Sequence, residues 1–293
     1  MGISVNTRDN NDIENLVTLA LAEDLGSQGD ITSAAIFDRE CAAAVIRSKT
    51  AGVCAGAYLL EPIFHHIDTS LDISCCVVDG DAVSPGTDIC RLEGPLRAIL
   101  AGERLALNFL QRLSGIATQT RALVERIEGT GARLLDTRKT TPLLRTLEKR
   151  AVRAGGGCNH RFGLYDMILI KDTHVAAAGG VGDAIRKAKA FRETCPDIAI
   201  EAEVQSFDEL QEAADAAPDR IMLDNMSPEL MRRCVEHVRD RAPGVELEAS
   251  GNVTAESIRA IAETGVDWIS AGSITHSVTA LDIHLVIVDS SAR

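Results

Sequence analysis

Apolar and polar positions follow two different rhythms along this chain. The first third is mixed. Asp12 to Glu23 has helical spacing, Ala43 to Ala51 and Leu71 to Val78 read as strands, Asp79-Gly80-Asp81 signals a turn, and Asp88 to Leu92 resumes extended structure. From Pro95 to Glu128 the spacing is helical, with Leu100, Leu105, Leu107, Leu110 and Leu113 among its apolar positions and Gly115 as a point of interruption. From residue 132 short apolar runs alternate with amphipathic stretches. The runs are Ala132–Asp136, Met167–Lys171, Ile198–Val204, Arg220–Asp224, Val245–Ser250 and Trp268–Gly272. Helix starts are readable between them: Ser206 with Glu209 as a capping box, Ser227-Pro228 with proline at the first helical position, and Thr254 as a cap. Repeated strand-then-helix order predicts a parallel sheet.

Periodicity alone leaves an open doubly wound sheet and a barrel equal. The ends of the runs favour the barrel. They finish in Asp136, Lys171-Asp172, Glu203, Asp224, Ser250-Gly251 and Gly272-Ser273, at the carboxyl ends of parallel strands, where α/β folds bind ligands. So many polar ends converge best on a ring. Six clear runs predict an incomplete barrel.

Composition narrows the function. The chain has 293 residues, enough for one barrel and a smaller domain, and an apolar fraction of 45%. Aromatic residues are only 3%, so the core is built from Leu, Ile, Val and Ala. A net charge of −13 argues against nucleic acid as a partner, because that binding needs a basic surface. Eight cysteines include the adjacent Cys75 and Cys76 but no C-x-x-C and no zinc-finger spacing, and read as buried thiols in a reducing cytosol. Met1 to Asn11 is polar, and Asn6 breaks the myristoylation pattern begun by Gly2. No segment approaches membrane-helix length, so the expected location is cytoplasmic.

Against the acidic background one segment reverses the field. Arg133 to Arg161 holds eight Arg or Lys residues and two acidic ones. Arg138 and Lys139 follow a strand directly and suit a polyanion, since a guanidinium fork grips a carboxylate through two hydrogen bonds. Arg145, Lys149, Arg150 and Arg153 read as a solvated helix face. Gly155-Gly156-Gly157 either ends that helix or makes a mobile loop carrying His160 and Arg161 over a site, with Lys171-Asp172-Thr173-His174 close behind. Glu203 and Asp224 end neighbouring runs and can hold Mg²⁺ or sugar hydroxyls, or simply pair with Lys171 or Lys139. Ser250-Gly251-Asn252 and Ala271-Gly272-Ser273 close the last two runs, where barrels often hold phosphate.

These motifs, in this order, resemble the quinolinate phosphoribosyltransferase family. The resemblance runs from Glu23-Asp24-Leu25-Gly26 and Gly29-Asp30-Ile31-Thr32, through Glu103–Gln111, Ser114–Thr118, Asp136–Pro142, Gly155–Gly163 and Ile170–His174, to Leu223-Asp224-Asn225, Glu248–Asn252 and Gly272–Ser277. It implies an N-terminal α/β sandwich over residues 1–115, with the C-terminal segment 278–293 packed back on it, and an incomplete, about seven-stranded TIM-like barrel over 116–277. The implied reaction joins quinolinate to phosphoribosyl pyrophosphate and gives nicotinate mononucleotide, pyrophosphate and carbon dioxide, a step in NAD biosynthesis. Quinolinate is assigned to Arg104, Thr137, Arg138, His160, Arg161 and Lys171. The phosphoribosyl pyrophosphate goes to Lys139, Glu203, Asp224, Ser250, Gly251, Asn252, Ala271, Gly272, Ser273 and His276. Lys139, Lys171, Glu203 and Asp224 are the implied catalytic set, and Mg²⁺ arrives with the pyrophosphate near Glu203 and Asp224. Asn252 stands where many members have glycine. A homodimer, or a hexamer built from dimers, with Arg104 serving the neighbouring subunit's site, is also implied.

Three other readings stand beside this one. A related phosphoribosyltransferase, nicotinate-type or associated with molybdate transport, would lack the full set of dicarboxylate cations. A silent ligand-binding paralogue would have lost site residues. An aldolase-like barrel using Lys171 as a Schiff-base nucleophile would be trapped by borohydride.

Overall fold

The computed structural model describes residues 7–288, with side chains from Ile13 onward. The polar N-terminal residues 1–6, Gly2 and Asn6 among them, and the end of the chain from 289 lie outside the described residues. The chain divides into two compact units. One comprises residues up to Gln119 with Thr146–Gly155 and the segment from Val278; the other comprises Thr120–Arg145 and Gly156–Ser277. The range expected for the barrel thus includes a helix, Arg145–Ala154, most of which groups with the first unit.

In the first unit, β1 (Cys41–Ser48), β2 (Gly52–Val53), β3 (Asp72–Cys75), β4 (Ala82–Val83) and β5 (Asp88–Pro95) precede the long helix Leu96–Arg126. The main sheet has the order β12-β1-β5-β3, where β12 is Ile283–Val288, and its pairings are antiparallel. The last strand therefore returns to the first, with Ala43 opposite Val288 and Ser48 opposite Ile283. Val45, Ile46, Ile89 and Leu92 are buried from this sheet. Gly115 does not interrupt the long helix. A Cβ there would stand 2.3 Å from the carbonyl oxygen of Thr279, so glycine lets the returning chain cross the helix closely.

The second unit is the barrel. Its strands are β6 (Arg133–Leu135), β7 (Met167–Ile170), β8 (Ala199–Val204), β9 (Arg220–Asp224), β10 (Glu246–Ser250) and β11 (Trp268–Ser270). All pairings are parallel, in the order β6-β11-β10-β9-β8-β7. The last strand pairs with the first, as a ring requires. A seventh position is reduced to one bridge, Leu135 with Cys158, fixed by Cys158 N–H to Leu134 O (2.8 Å) and Asp136 N–H to Cys158 O (3.1 Å). Among the described residues no ladder joins this segment to β7, and the ring is open there. Alternate positions, Ile200, Ala202, Val204, Ile221, Leu223, Leu247 and Ala249, are buried and apolar, while the intervening face carries Glu201, Glu203, Asp224, Glu248 and Ser250.

Local signals explain the helices. Ser206 accepts the Glu209 N–H (3.2 Å) while the Glu209 carboxylate accepts the Gln205 N–H (2.7 Å). Ser227 caps the helix that begins at Pro228. Thr254 does not cap its helix directly. Its hydroxyl accepts the Ser257 N–H in a turn (3.3 Å), and the helix begins at Ile258. The solvated-face reading of Arg145–Arg153 fails for most of its residues. Lys149 is 2% exposed, and the Arg150 guanidinium lies 3.4 Å from the Tyr58 ring centroid. Only three of the eight thiols, Cys54, Cys90 and Cys234, are buried, whereas Cys41, Cys75 and Cys76 are exposed, so the all-buried reading is also corrected.

Candidate active site at the barrel mouth

A cavity of about 740 Å³ opens at the carboxyl ends of the barrel strands, a size that suits one or two small ligands. Its wall collects residues from almost every strand end: Thr137, Arg138 and Lys139 after β6, His160 and Arg161 after the bridge, Lys171 after β7, Glu203 on β8, Asp224 on β9, Ser250 to Asn252 after β10, and Ala271, Gly272, Ser273 and His276 after β11. Apart from Arg104, the residues that the sequence singled out meet here. Arg104 is exposed on the long helix in the first unit.

The cationic side is built by two loops. Thr137 accepts the Lys139 N–H (3.0 Å), turning the chain straight after β6. Arg145 then staples this loop to the next, donating from Nε to Thr140 (2.9 Å), from Nη1 to the Phe162 carbonyl (3.1 Å) and from Nη2 to the Arg138 carbonyl (3.3 Å). Arg161 is 8% exposed and donates from Nη1 to the Met167 carbonyl (3.2 Å). Burial, with the charge of Arg138 next, lowers its hold on its proton. The Arg138 Nε is buried without a hydrogen-bond partner. Among the described residues, neither guanidinium has a carboxylate within ion-pair distance. Two such groups crowded together need an anion.

The acidic side faces it. Lys171 Nζ stands 4.0 Å from the Glu203 carboxylate. Burial pushes the Glu203 carboxyl up, the charge of Asp224 adds to this, and Lys171 opposes it. Asp224 accepts a hydrogen bond from the Asn225 side chain (2.9 Å). Two carboxylates held near each other at a mouth rich in oxygen donors suit a hard cation with phosphate oxygens, the donor set that Mg²⁺ takes.

The last two strand ends are shaped by backbone. Gly251 has φ +98°, and a Cβ there would fall 2.2 Å from the Asn225 side-chain oxygen. Asn252 has φ +47°, the left-handed region that asparagine tolerates better than most residues, so it replaces glycine at little cost. Gly272 lets the Lys139 side chain lie across it, since a Cβ would be 2.9 Å from Lys139 Cδ. Thr275 donates to the Lys139 carbonyl (2.8 Å). Lys139 is thereby tied to the loop after β11.

Beneath the mouth lies a group that the sequence reading missed in part. Glu201 and Glu248 are fully buried, His160 faces both, and Arg220 reaches Glu248 (3.1 Å). Burial, reinforced by Glu248, pushes the Glu201 carboxyl up to about 7. Burial pushes the Glu248 carboxyl up as well, but His160, Ser270 and Arg220 outweigh it and hold that carboxyl below its ordinary range. His160, Glu201 and Glu248 present donor atoms within 4.8 Å of one another, the spacing of a metal site. The Arg220 guanidinium already supplies a cation's charge there, so the group is a paired network. Period-2 spacing was the available signal: Glu201 shares a face with Glu203, and Glu248 with Ser250.

An α/β barrel with unpaired cations opposite a carboxylate pair at its strand ends belongs to the class that binds polyanionic substrates there. Comparison with known proteins narrows the class. Residues 30–114 match the N-terminal domain, and residues 116–286 the C-terminal domain, of quinolinate phosphoribosyl transferase. The chain belongs to the quinolinate phosphoribosyltransferase family. It is 44% identical over 274 residues to a probable nicotinate-nucleotide pyrophosphorylase [carboxylating] of Bacillus subtilis, covering 93% of this chain and 92% of the relative. It is 40% identical to the chloroplastic nicotinate-nucleotide pyrophosphorylase [carboxylating] of Arabidopsis thaliana, over 98% of this chain and 86% of the relative. The solved nicotinate-nucleotide pyrophosphorylase of Francisella tularensis superposes with a TM-score of 0.90 at 40% identity, covering 95% of this chain and 97% of that one.

Proposed function

We propose that this protein is a carboxylating nicotinate-nucleotide pyrophosphorylase: it transfers the phosphoribosyl group of phosphoribosyl pyrophosphate to the ring nitrogen of quinolinate and releases pyrophosphate and carbon dioxide. The observation that carries this reading is the pair of half-buried Arg138 and buried Arg161, which lack a carboxylate partner among the described residues and line the cavity with Lys171. A ring with two adjacent carboxylates supplies what they lack. Thr137 lies beside them in the wall.

The chemistry follows from the sides of the cavity. The pyridine nitrogen forms a bond to the sugar's C1 as the C1–oxygen bond to pyrophosphate breaks, through a state with positive charge on the sugar. Glu203 and Asp224 stabilise that charge and hold the sugar hydroxyls. Lys139 receives the departing pyrophosphate. The backbone N–H groups of Ser250, Gly251, Asn252, Ala271, Gly272 and Ser273, with His276 nearby, hold the 5′-phosphate. Glu203 and Asp224 are the residues that would hold a Mg²⁺ ion arriving with the pyrophosphate, which would supply charge neutralisation for the leaving group. Decarboxylation then breaks the ring carbon–carboxylate bond. The electron pair stays beside the cationic nitrogen until a proton replaces the carbon dioxide, while Arg138, Arg161 and Lys171 orient the ring.

The reading extends to assembly and place. Arg104 completes the site of a second subunit, in a homodimer or a hexamer of such dimers. The protein works in the cytoplasm, where its thiols stay reduced, and no described helix is long and apolar enough to cross a membrane. The test is direct. The purified chain is incubated with quinolinate, phosphoribosyl pyrophosphate and Mg²⁺, and nicotinate mononucleotide is measured. Nicotinate in place of quinolinate is expected to react at least roughly a hundredfold more slowly, because it leaves buried cations unpaired. Equal turnover of the two acids would overturn the dicarboxylate assignment.

A further inference from the structure

The family resemblance makes His160 a contact of the acid substrate, but the geometry gives its imidazole other work. The side chain is 6% exposed. Nε2 points into the barrel, 2.9 Å from the Glu201 carboxylate on β8 and 3.4 Å from that of Glu248 on β10. Nδ1 accepts the backbone N–H of Arg161 at 2.7 Å. Nε2 directs a proton at the two carboxylates. The backbone N–H of His160 donates to the buried Asp136 (2.9 Å). Both ring nitrogens are thus directed at the protein, and the ring is fixed from below while it holds the next residue from above.

The next residue is Arg161. Its backbone hangs from Nδ1, its Nη1 donates to the Met167 carbonyl on β7, and its guanidinium enters the cavity close to the like-charged Arg138. Such crowding favours letting the guanidinium drift apart from Arg138 unless its backbone is pinned. We propose that His160 is a positioning residue, which fixes Arg161 for the dicarboxylate by joining its backbone to the Glu201–Glu248 floor, and is not itself a ligand of the acid. This rests on the reading of the cavity as a quinolinate site.

The experiment is a double-mutant cycle on the full chain, with quinolinate binding measured by calorimetry in the wild type, His160→Ala, Arg161→Ala and the double variant. His160→Ala is expected to weaken binding about tenfold or more in the wild-type background, and by less than about twofold when Arg161 is already gone, because a residue acting through another adds nothing once that other is removed. An equal loss in both backgrounds overturns the proposal and makes His160 a ligand. No binding by the wild type sinks the quinolinate reading, and this proposal with it.

Should His160→Ala fail to fold, two isosteric variants decide. In His160→Asn the amide oxygen takes the place of Nδ1 and still accepts the Arg161 N–H. In His160→Gln the amide reaches the place of Nε2 and still meets the glutamates. Thermal stability is expected to follow the glutamine variant and quinolinate affinity the asparagine variant. Affinity that instead tracks stability through both variants shows a purely structural role and overturns the proposal.

Discussion

Glu201 and Glu203 stand two residues apart on one face of β8, yet Glu201 is fully buried and Glu203 lines the cavity. Identical chemistry thus serves two purposes according to depth. Removing Glu201 strands His160 and leaves charge unbalanced in the barrel, so Glu201→Ala is expected to cost about 3–5 kcal/mol of stability. Glu203→Ala is expected to stay within about 1 kcal/mol of wild type and to lose turnover instead. Urea titration paired with a product assay separates the two, and equal destabilisation by both would contradict the division.

Asp224 lines the cavity, and the proposed reaction sets it against the ribosyl group. Its replacement by alanine is expected to lower kcat by roughly ten- to a thousandfold, a few kcal/mol of transition-state stabilisation, with little change in quinolinate affinity. An unchanged kcat with a raised KM for quinolinate would move the residue to the wrong substrate.

Cys75 and Cys90 are directly opposite on β3 and β5, with sulfurs 3.8 Å apart. The Cys90 thiol stabilises a thiolate at Cys75 more than burial opposes it, and brings the Cys75 pKa down to about 7, while Cys90 itself is pushed up. The thiolate is the form present above that pH. Alkylation of Cys75 by iodoacetamide, followed by mass spectrometry, is therefore expected to rise through a midpoint near 7. In Cys90→Ala the midpoint is expected to move upward; no movement would remove Cys90 as the cause.

Arg104 sits on the long helix of the first unit, and the cavity lining is drawn from the barrel unit. If Arg104 completes a partner's site, Arg104→Ala and Lys139→Ala are each inactive alone but complement each other. A mixed dimer carries both lesions in one site and neither in the other. Random exchange makes about half the dimers mixed, so recovery to about a quarter of wild-type activity is expected. Demonstrated exchange without recovery would assign Arg104 to its own chain.

The barrel was legible because each strand leaves a short apolar run with a polar residue at its carboxyl end, and Lys171, Glu203 and Asp224 all line the mouth, whereas Asp136 is buried and holds the His160 N–H. Its floor was less so. Glu201 and Glu248 look, in sequence, like the polar half of an exposed alternation, and only the closing of the ring turns that face inward. Lys149 misled in the opposite sense, since a basic helix reads as solvated whatever covers it. Gly115 reads as a break because a sequence does not show which carbonyl passes over a glycine. The seventh strand leaves no run at all, being a single bridge at Cys158.

The open edge of the ring ties stability to occupancy. No ladder spans from the Cys158 segment to β7 among the described residues, and the gap is crossed by side chains: His160 to Glu201, and Arg161 to the Met167 carbonyl. The same two neighbours serve the cavity. Local opening at this edge and release of a bound dicarboxylate are therefore linked equilibria, and a ligand that grips Arg161 also holds the barrel shut. In amide hydrogen exchange with and without quinolinate, added protection is expected first along Met167–Ile170, while β9 and β10, paired on both sides, already exchange slowly in the free protein.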